Sequence, residues 1–244
     1  MNKRLVVLLT CAVLLSSSLV FAGTTSQKTE KPWTEWTQKE AEKMLSSSPW
    51  SQTQVDTDTS EMFFQPTSRS ANAPNAERRV EAGAVNQPVN VKFIVRFFSA
   101  RPVRQALVRI MELQQKPTAE VVERMHNFAN VQSGESIILT LSFETTDGRY
   151  AGPVMQAMSS ANTGTLKNET YLERDGKRHF LHEYIPPGKD GFGARFIFLR
   201  MVDNQPFINN NTGDVRFVTK YPDGIRVDRR FKVSDMMYNG QLEY

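Results

Sequence analysis

Val91-Lys-Phe-Ile-Val-Arg-Phe-Phe98-Ser-Ala-Arg-Pro102-Val-Arg-Gln-Ala-Leu-Val-Arg-Ile-Met-Glu-Leu113 is the stretch that decides the fold class. In its first half, Val91, Phe93, Val95 and Phe97 recur at a period of two and share one face of a strand. From Val103 the period lengthens to about 3.6, the helical repeat, and Val103, Ala106, Leu107, Ile110 and Leu113 fall on one stripe. Pro102 suits the first helical turn, where its fixed φ is already helical and its missing N–H would have had no partner. A strand that feeds a helix this directly predicts a helix-on-sheet core.

Upstream, Lys3 and Arg4 precede an apolar run from Leu5 to Val20, and Val20-Phe21-Ala22 has the side-chain sizes that a signal peptidase reads. Residues 1–22 are therefore expected to be a secretory signal cleaved after Ala22, placing the protein in the periplasm or outside the cell. Uncleaved, the run would be a membrane anchor near the lower length limit for spanning, and the chain's one expected membrane contact. The single cysteine, Cys11, lies inside it. The mature chain then has no thiol for a disulfide or a nucleophile and must rely on its core. Losing Lys3 and Arg4 lowers the formal charge from +4 to +2. That excess is too small and too dispersed for nucleic acid, and export argues against that partner as well.

The remaining elements follow from local signals. Thr37 and Glu40 have capping-box spacing and open a short helix that Ser46-Ser-Ser-Pro49 ends. Trp33, Trp36 and Trp50 are all of the tryptophans. They either dock this helix or form an aromatic binding surface. Residues 23–65 are expected to form a Trp-rich helix and a strand, 66–88, with Pro66, Pro74 and Pro88, a linker, and 89–244 the main domain. Thr118 is expected to cap a second main-domain helix over 118–130. Strands are expected over 136–144, 165–174, 178–185, 194–201, 215–221 and 225–233. Asp147-Gly148, Asp175-Gly176 and Pro222-Asp-Gly224 read as turns, 153–161 as a short helix and 204–213 as an Asn-rich loop. The fold class is α+β: a twisted antiparallel sheet or β-sandwich with two covering helices and a short N-terminal helix.

His179, His182 and Glu183 are the first residues with chemical potential, since two imidazoles and a carboxylate fall within five positions. On a single strand, residues three apart face opposite sides, so the pair cannot converge on a metal. One of them remains a candidate base. His126 reads as a packed or rim residue of its helix. Asp56-x-Asp58-x-Ser60 begins like a calcium loop but has Glu61 where glycine is needed and Thr67 where a bidentate Glu is needed. No metal or cofactor is expected. Arg96, Arg101 and Arg104 cluster at the strand-to-helix junction, and Arg229 interrupts the inward row Ile225, Val227, Phe231, Val233. These arginines either line a pocket for an anionic ligand or, the favoured alternative for Arg229, a β-bulge at 228–230 returns it to solvent.

Trp33-x-x-Trp36, Ser48-Pro-Trp50, Arg96-Phe-Phe-Ser-Ala-Arg-Pro-Val-Arg-Gln-Ala106, Asp175-Gly-Lys with Glu183-Tyr-Ile-Pro-Pro187, and Asp190-Gly-Phe-Gly-Ala-Arg-Phe-Ile-Phe-Leu-Arg200 together resemble a group of uncharacterised exported bacterial proteins. The resemblance implies a single exported domain and brings no activity with it. The leading expectation is a non-enzymatic envelope module that binds a partner protein or an envelope component. The alternatives are an extracytoplasmic hydrolase using His179 or His182 with nearby carboxylates, and a carrier enclosing a small ligand between sheet and helices.

Overall fold

A computed structural model describes residues 31–58, 89–132 and 134–244. The expected signal (1–22) and linker (66–88) lie outside the described residues, and the fold described here belongs to the unit from Pro32 to Tyr244. The deciding stretch folds as read: Val89–Phe97 is a strand (β2) and Arg101–Gln115 a helix (α2) with Pro102 in its first turn. Val91, Phe93, Val95 and Phe97 are all buried.

The N-terminal residues are built into the same sheet as β2. Helix α1, Gln38–Ser46, starts on the expected capping box, with Thr37 N–H donating to Glu40 Oε2 at 2.7 Å and Glu40 N–H to Thr37 Oγ1 at 3.3 Å. Strand β1, Ser51–Asp58, then pairs antiparallel with β2 through all eight of its residues. Its almost wholly polar sequence, with Val55 exposed, is that of an edge strand, and its pairing makes the Trp-rich segment integral to the main domain rather than hung from it. Helix α1 packs against β1 and α2, and α2 packs in turn against α3, Ala119–Asn130. The cover is thus a layer of three helices, in which Arg104, Gln105 and Val108 of α2 are buried beyond its apolar stripe while Leu113 is exposed.

Strands β3 (Ser136–Thr145), β4 (Tyr171–Arg174), β5 (Lys177–Phe180), β6 (Glu183–Ile185) and β7 (Ala194–Leu199) follow, then β10 (Asp214–Lys220) and β11 (Arg226–Lys232). They form a five-stranded sheet in the order β1-β2-β3-β7-β6 and a four-stranded sheet in the order β11-β10-β4-β5, with every pair antiparallel. Aromatic rings join the two inner faces: Phe97 meets Phe231 edge-on at 4.8 Å, and Phe196 meets Phe217 at 5.1 Å. Burying each such ring contributes roughly 1.5–3 kcal/mol, which makes this layer the main source of stability. The class is α+β.

Several local expectations are corrected. Asp147-Gly148 is a helix start, because Asp147 Oδ1 accepts Arg149 N–H at 2.9 Å, and helix α4 runs Gly148–Ser160. Thr165 belongs to a short helix α5, Thr163–Leu166, since Asn162 and Thr165 cap each other's backbone. The Asp175-Gly176 hairpin holds, with the positive φ values of 51° and 75° that a two-residue turn requires. Its second strand does not continue to Ile185. Leu181 N–H bonds Thr170 of the segment leading into β4, His182 N–H bonds Ile197 of β7, and the chain changes sheets between them. The expected strand 194–201 stops at Leu199, and β8 (Met201–Val202) forms a small hairpin with β9 (Gln205–Pro206) at the start of the Asn-rich loop, which goes on to bury Phe207 and Ile208. The tail forms another, β12 (Met237–Tyr238) with β13 (Gln241–Leu242), and ends in buried Glu243 and Tyr244.

Candidate functional site

The sequence-selected residues occupy separate structural posts. Trp33 is buried with Val108 and Ala129, and its ring meets His126 at 4.7 Å, where His126 Nε2 lies 2.5 Å from Glu112 Oε1. Trp50 is buried in the main core, with Nε1–H donating to the Glu243 carbonyl at 2.7 Å. Trp36 is half-buried between the two clusters. The indoles therefore dock α1 and the tail and present no aromatic platform.

The arginines do not converge as a set, although Arg101 and Arg104 feel each other's charge beside Glu243. Arg96 donates to the Leu45 carbonyl at 2.6 Å and to Ser142 Oγ at 2.7 Å, and burial pushes its pKa down to about 10. Arg101 binds Glu243 Oε1 at 2.5 Å. Arg104 ties α2 to the Ser99 and Val131 carbonyls. Burial lowers its pKa, and Glu243 opposes that shift. Arg229 does face inward, but β10 and β11 pair without interruption from Arg226 to Lys232, so the expected bulge is absent. Its guanidinium reaches the seam between the sheets and donates to the carbonyls of Asp228 at 2.6 Å and Thr53 at 3.2 Å. Carbonyl oxygens, not carboxylates, satisfy this inward cation.

The sheet change at Leu181 also separates the histidine pair. His179 lies on β5, with Nε2 at 2.8 Å from the Leu199 carbonyl and its ring against Phe198 and Phe207. Desolvation lowers its pKa. His182 and Glu183 are exposed at the start of β6. Among the described residues, no three His, Cys, Asp or Glu side chains gather as a metal site.

What the sequence analysis missed is the outer face of the four-stranded sheet. Register places Arg178, Glu173, Arg216 and Arg230 in one row across β5, β4, β10 and β11, and Phe180, Tyr171, Val218 and Asp228 in the next. Asp214, Lys220, Arg226 and Lys232 complete the face. Arg216 binds Asp228 through two bonds of 2.7 and 2.5 Å and lies 3.7 Å from Glu173. The hydrogen bond from Arg216 holds the Asp228 carboxyl below the usual range, with Arg226 adding to the effect, and the same contact raises the pKa of Arg216. Arg226 shares Asp228 at 3.1 Å, Arg178 shares Glu173 at 3.4 Å, and Arg230 reaches Asp214 at 3.5 Å. Six cations thus stand over three carboxylates of the sheet face, and Asp235, just beyond β11, pairs with Lys232 at 2.9 Å as a fourth. The signal was present as the period-two series Arg226, Asp228, Arg230, Lys232; only the register reveals the row.

A second feature is a cleft of about 370 Å³ between sheet and helix, lined chiefly by Phe98, Phe128, Val131 and Ile138, with Arg104 among its walls.

No family model matches the chain, and no curated protein or solved structure shows significant similarity to it.

Proposed function

We propose that the protein is an exported, non-enzymatic envelope module that binds its partner through the outer face of the four-stranded sheet. The N-terminal Lys3-Arg4 and apolar run support export. The observation that carries the binding reading is the surplus of two cations, six against the four carboxylates that pair with them, on a surface fixed by continuous strand pairing. Exposed charges arranged this way set partner choice and encounter rate more than fold stability. The test is cross-linking of the tagged protein in intact cells, comparing wild type with the Arg178→Ala/Arg230→Ala double variant. Loss of a reproducible envelope species in the variant supports the assignment; unchanged capture overturns it.

The sheet–helix cleft supports a second reading, a carrier of a small apolar ligand, since its volume falls in the lower part of the range typical of ligand pockets. A Phe128→Arg substitution that abolishes ligand recovery from the purified protein would favour the carrier over the module.

A further inference from the structure

We infer that the ligand of the basic sheet face is an anionic polysaccharide, bearing carboxylate or phosphate groups, that lies across the strands. This rests on the binding-module reading above and goes further by naming the ligand's chemistry and direction.

The direction comes from the register. Arg178, Glu173, Arg216 and Arg230 are directly opposed neighbours on four successive strands. Adjacent strands are about 4.8 Å apart, so Arg178 and Arg216 straddle Glu173 at roughly 10 Å and Arg230 follows about 5 Å further on. Cations are thus repeated along a line perpendicular to the strands, matching a polymer that repeats its charge.

The chemistry comes from what the side chains leave available. Arg178, Arg226, Arg230 and Lys232 are 53%, 55%, 67% and 66% exposed, and each meets a single carboxylate: Glu173, Asp228, Asp214 and Asp235 in turn. A guanidinium has five N–H donors in a planar fork, so one shared carboxylate leaves donors facing solvent that suit carboxylate or phosphate oxygens. Beside the row, Phe180 is 43% exposed and Arg178 lies over the Tyr171 ring at 4.4 Å. An exposed ring next to free guanidinium donors can take the C–H face of a sugar while its acidic group meets the arginines.

An acidic protein is the competing occupant. A stable protein interface has an apolar, desolvated centre. Here the central Val218 and Tyr171 are already buried, leaving Phe180 as the exposed large apolar side chain of the face. A charged surface with one exposed peripheral ring fits an extended, hydrated polymer better than a protein.

The test is titration of the purified chain with polygalacturonate, a phosphorylated mannan and uncharged dextran, together with inorganic polyphosphate as a probe of charge alone. Both anionic polysaccharides should bind and dextran should not, and binding should fall steeply as NaCl rises from about 50 to about 300 mM. Arg178→Ala/Arg230→Ala should weaken both anionic polysaccharides by roughly tenfold or more while the melting temperature stays near wild type. Phe180→Ala should weaken the polysaccharides and leave polyphosphate unchanged. Polysaccharide binding that the double variant leaves intact overturns the assignment. If no polysaccharide binds but the double variant still loses an acidic protein from in-cell cross-linking, the ligand class is wrong and the binding module survives. If neither readout responds to the arginines, both fall.

Discussion

The carboxamide of Gln54 accepts the backbone N–H of Asp228 at 2.9 Å and donates to the Arg226 carbonyl at 2.7 Å. One side chain on the edge of the five-stranded sheet thus behaves as a residue of a neighbouring strand for the edge of the other sheet. Arg229 repeats the device in reverse, reaching from β11 to the Thr53 carbonyl. Together they close the seam between the sheets and hold β11, which carries four outward charges of the basic face. Replacing Gln54 with Ala frees one part-buried N–H and one exposed carbonyl. The expected loss is about 1 kcal/mol of unfolding free energy, measured by urea denaturation. No change would mean that water replaces both bonds at no cost.

Gly193 is required where it stands. Its φ is +83°, and a Cβ there would collide with the Leu141 carbonyl on the adjacent strand. Gly193→Ala should cost roughly 3 kcal/mol or more, or prevent folding. Gly148→Ala, in the first turn of α4 with open space around it, should change stability by less than about 1 kcal/mol. Similar melting temperatures for the two variants would contradict the close approach.

Trp50 connects the start of β1 to the tail through Nε1–H and the Glu243 carbonyl, and its ring meets Tyr238 edge-on at 6.2 Å. Trp50→Phe keeps much of the apolar volume but leaves that buried carbonyl without the indole donor. The expected cost is about 1–2 kcal/mol in thermal or urea unfolding. A variant as stable as wild type would show that the tail is held without this bond.

His179 gives a pH signature. Its pKa is lowered in the folded state, mainly by desolvation, so the unfolded chain takes up the proton first as pH falls. The stability linked to this group is fully present above the ordinary histidine value of about 6.5 and is lost as pH falls through that value toward the lowered one. Urea unfolding at about pH 7.5 and about pH 5.5 should show lower stability in acid, with a smaller difference in His179→Gln. A wild-type protein that is more stable at the acid end would contradict this placement. Asp228 and Asp235 also have lowered values, but they start from ordinary carboxylate values and act at lower pH.

Much of the fold was legible because its signals are local. The switch of period across Ser99 to Pro102, the capping box at Thr37 and Glu40, and the Asp175-Gly176 turn each act within a few residues. Tertiary pairing decided the rest. Between Leu181 and His182 the chain leaves one sheet for the other with no glycine or proline to announce it, and this break undid the reading of 178–185 as one strand. Arg229 looked like the sign of a bulge because a lone inward arginine has no carboxylate beside it in sequence; its partners are carbonyls, one of its own strand at Asp228 and one of the opposite sheet at Thr53. The basic row could not be read at all without knowing that β4 lies beside β10. Its residues come from 173, 178, 216 and 230, and only register makes them neighbours.

The central claim is that the outer face of the four-stranded sheet is where the partner sits. A photo-cross-linking residue placed at Phe180, exposed on that face, should capture a cellular component in a manner abolished by Arg178→Ala/Arg230→Ala. The same probe at Met155, exposed on α4, should capture none of it. Equal capture from both positions, or capture from Met155 alone, would contradict the account.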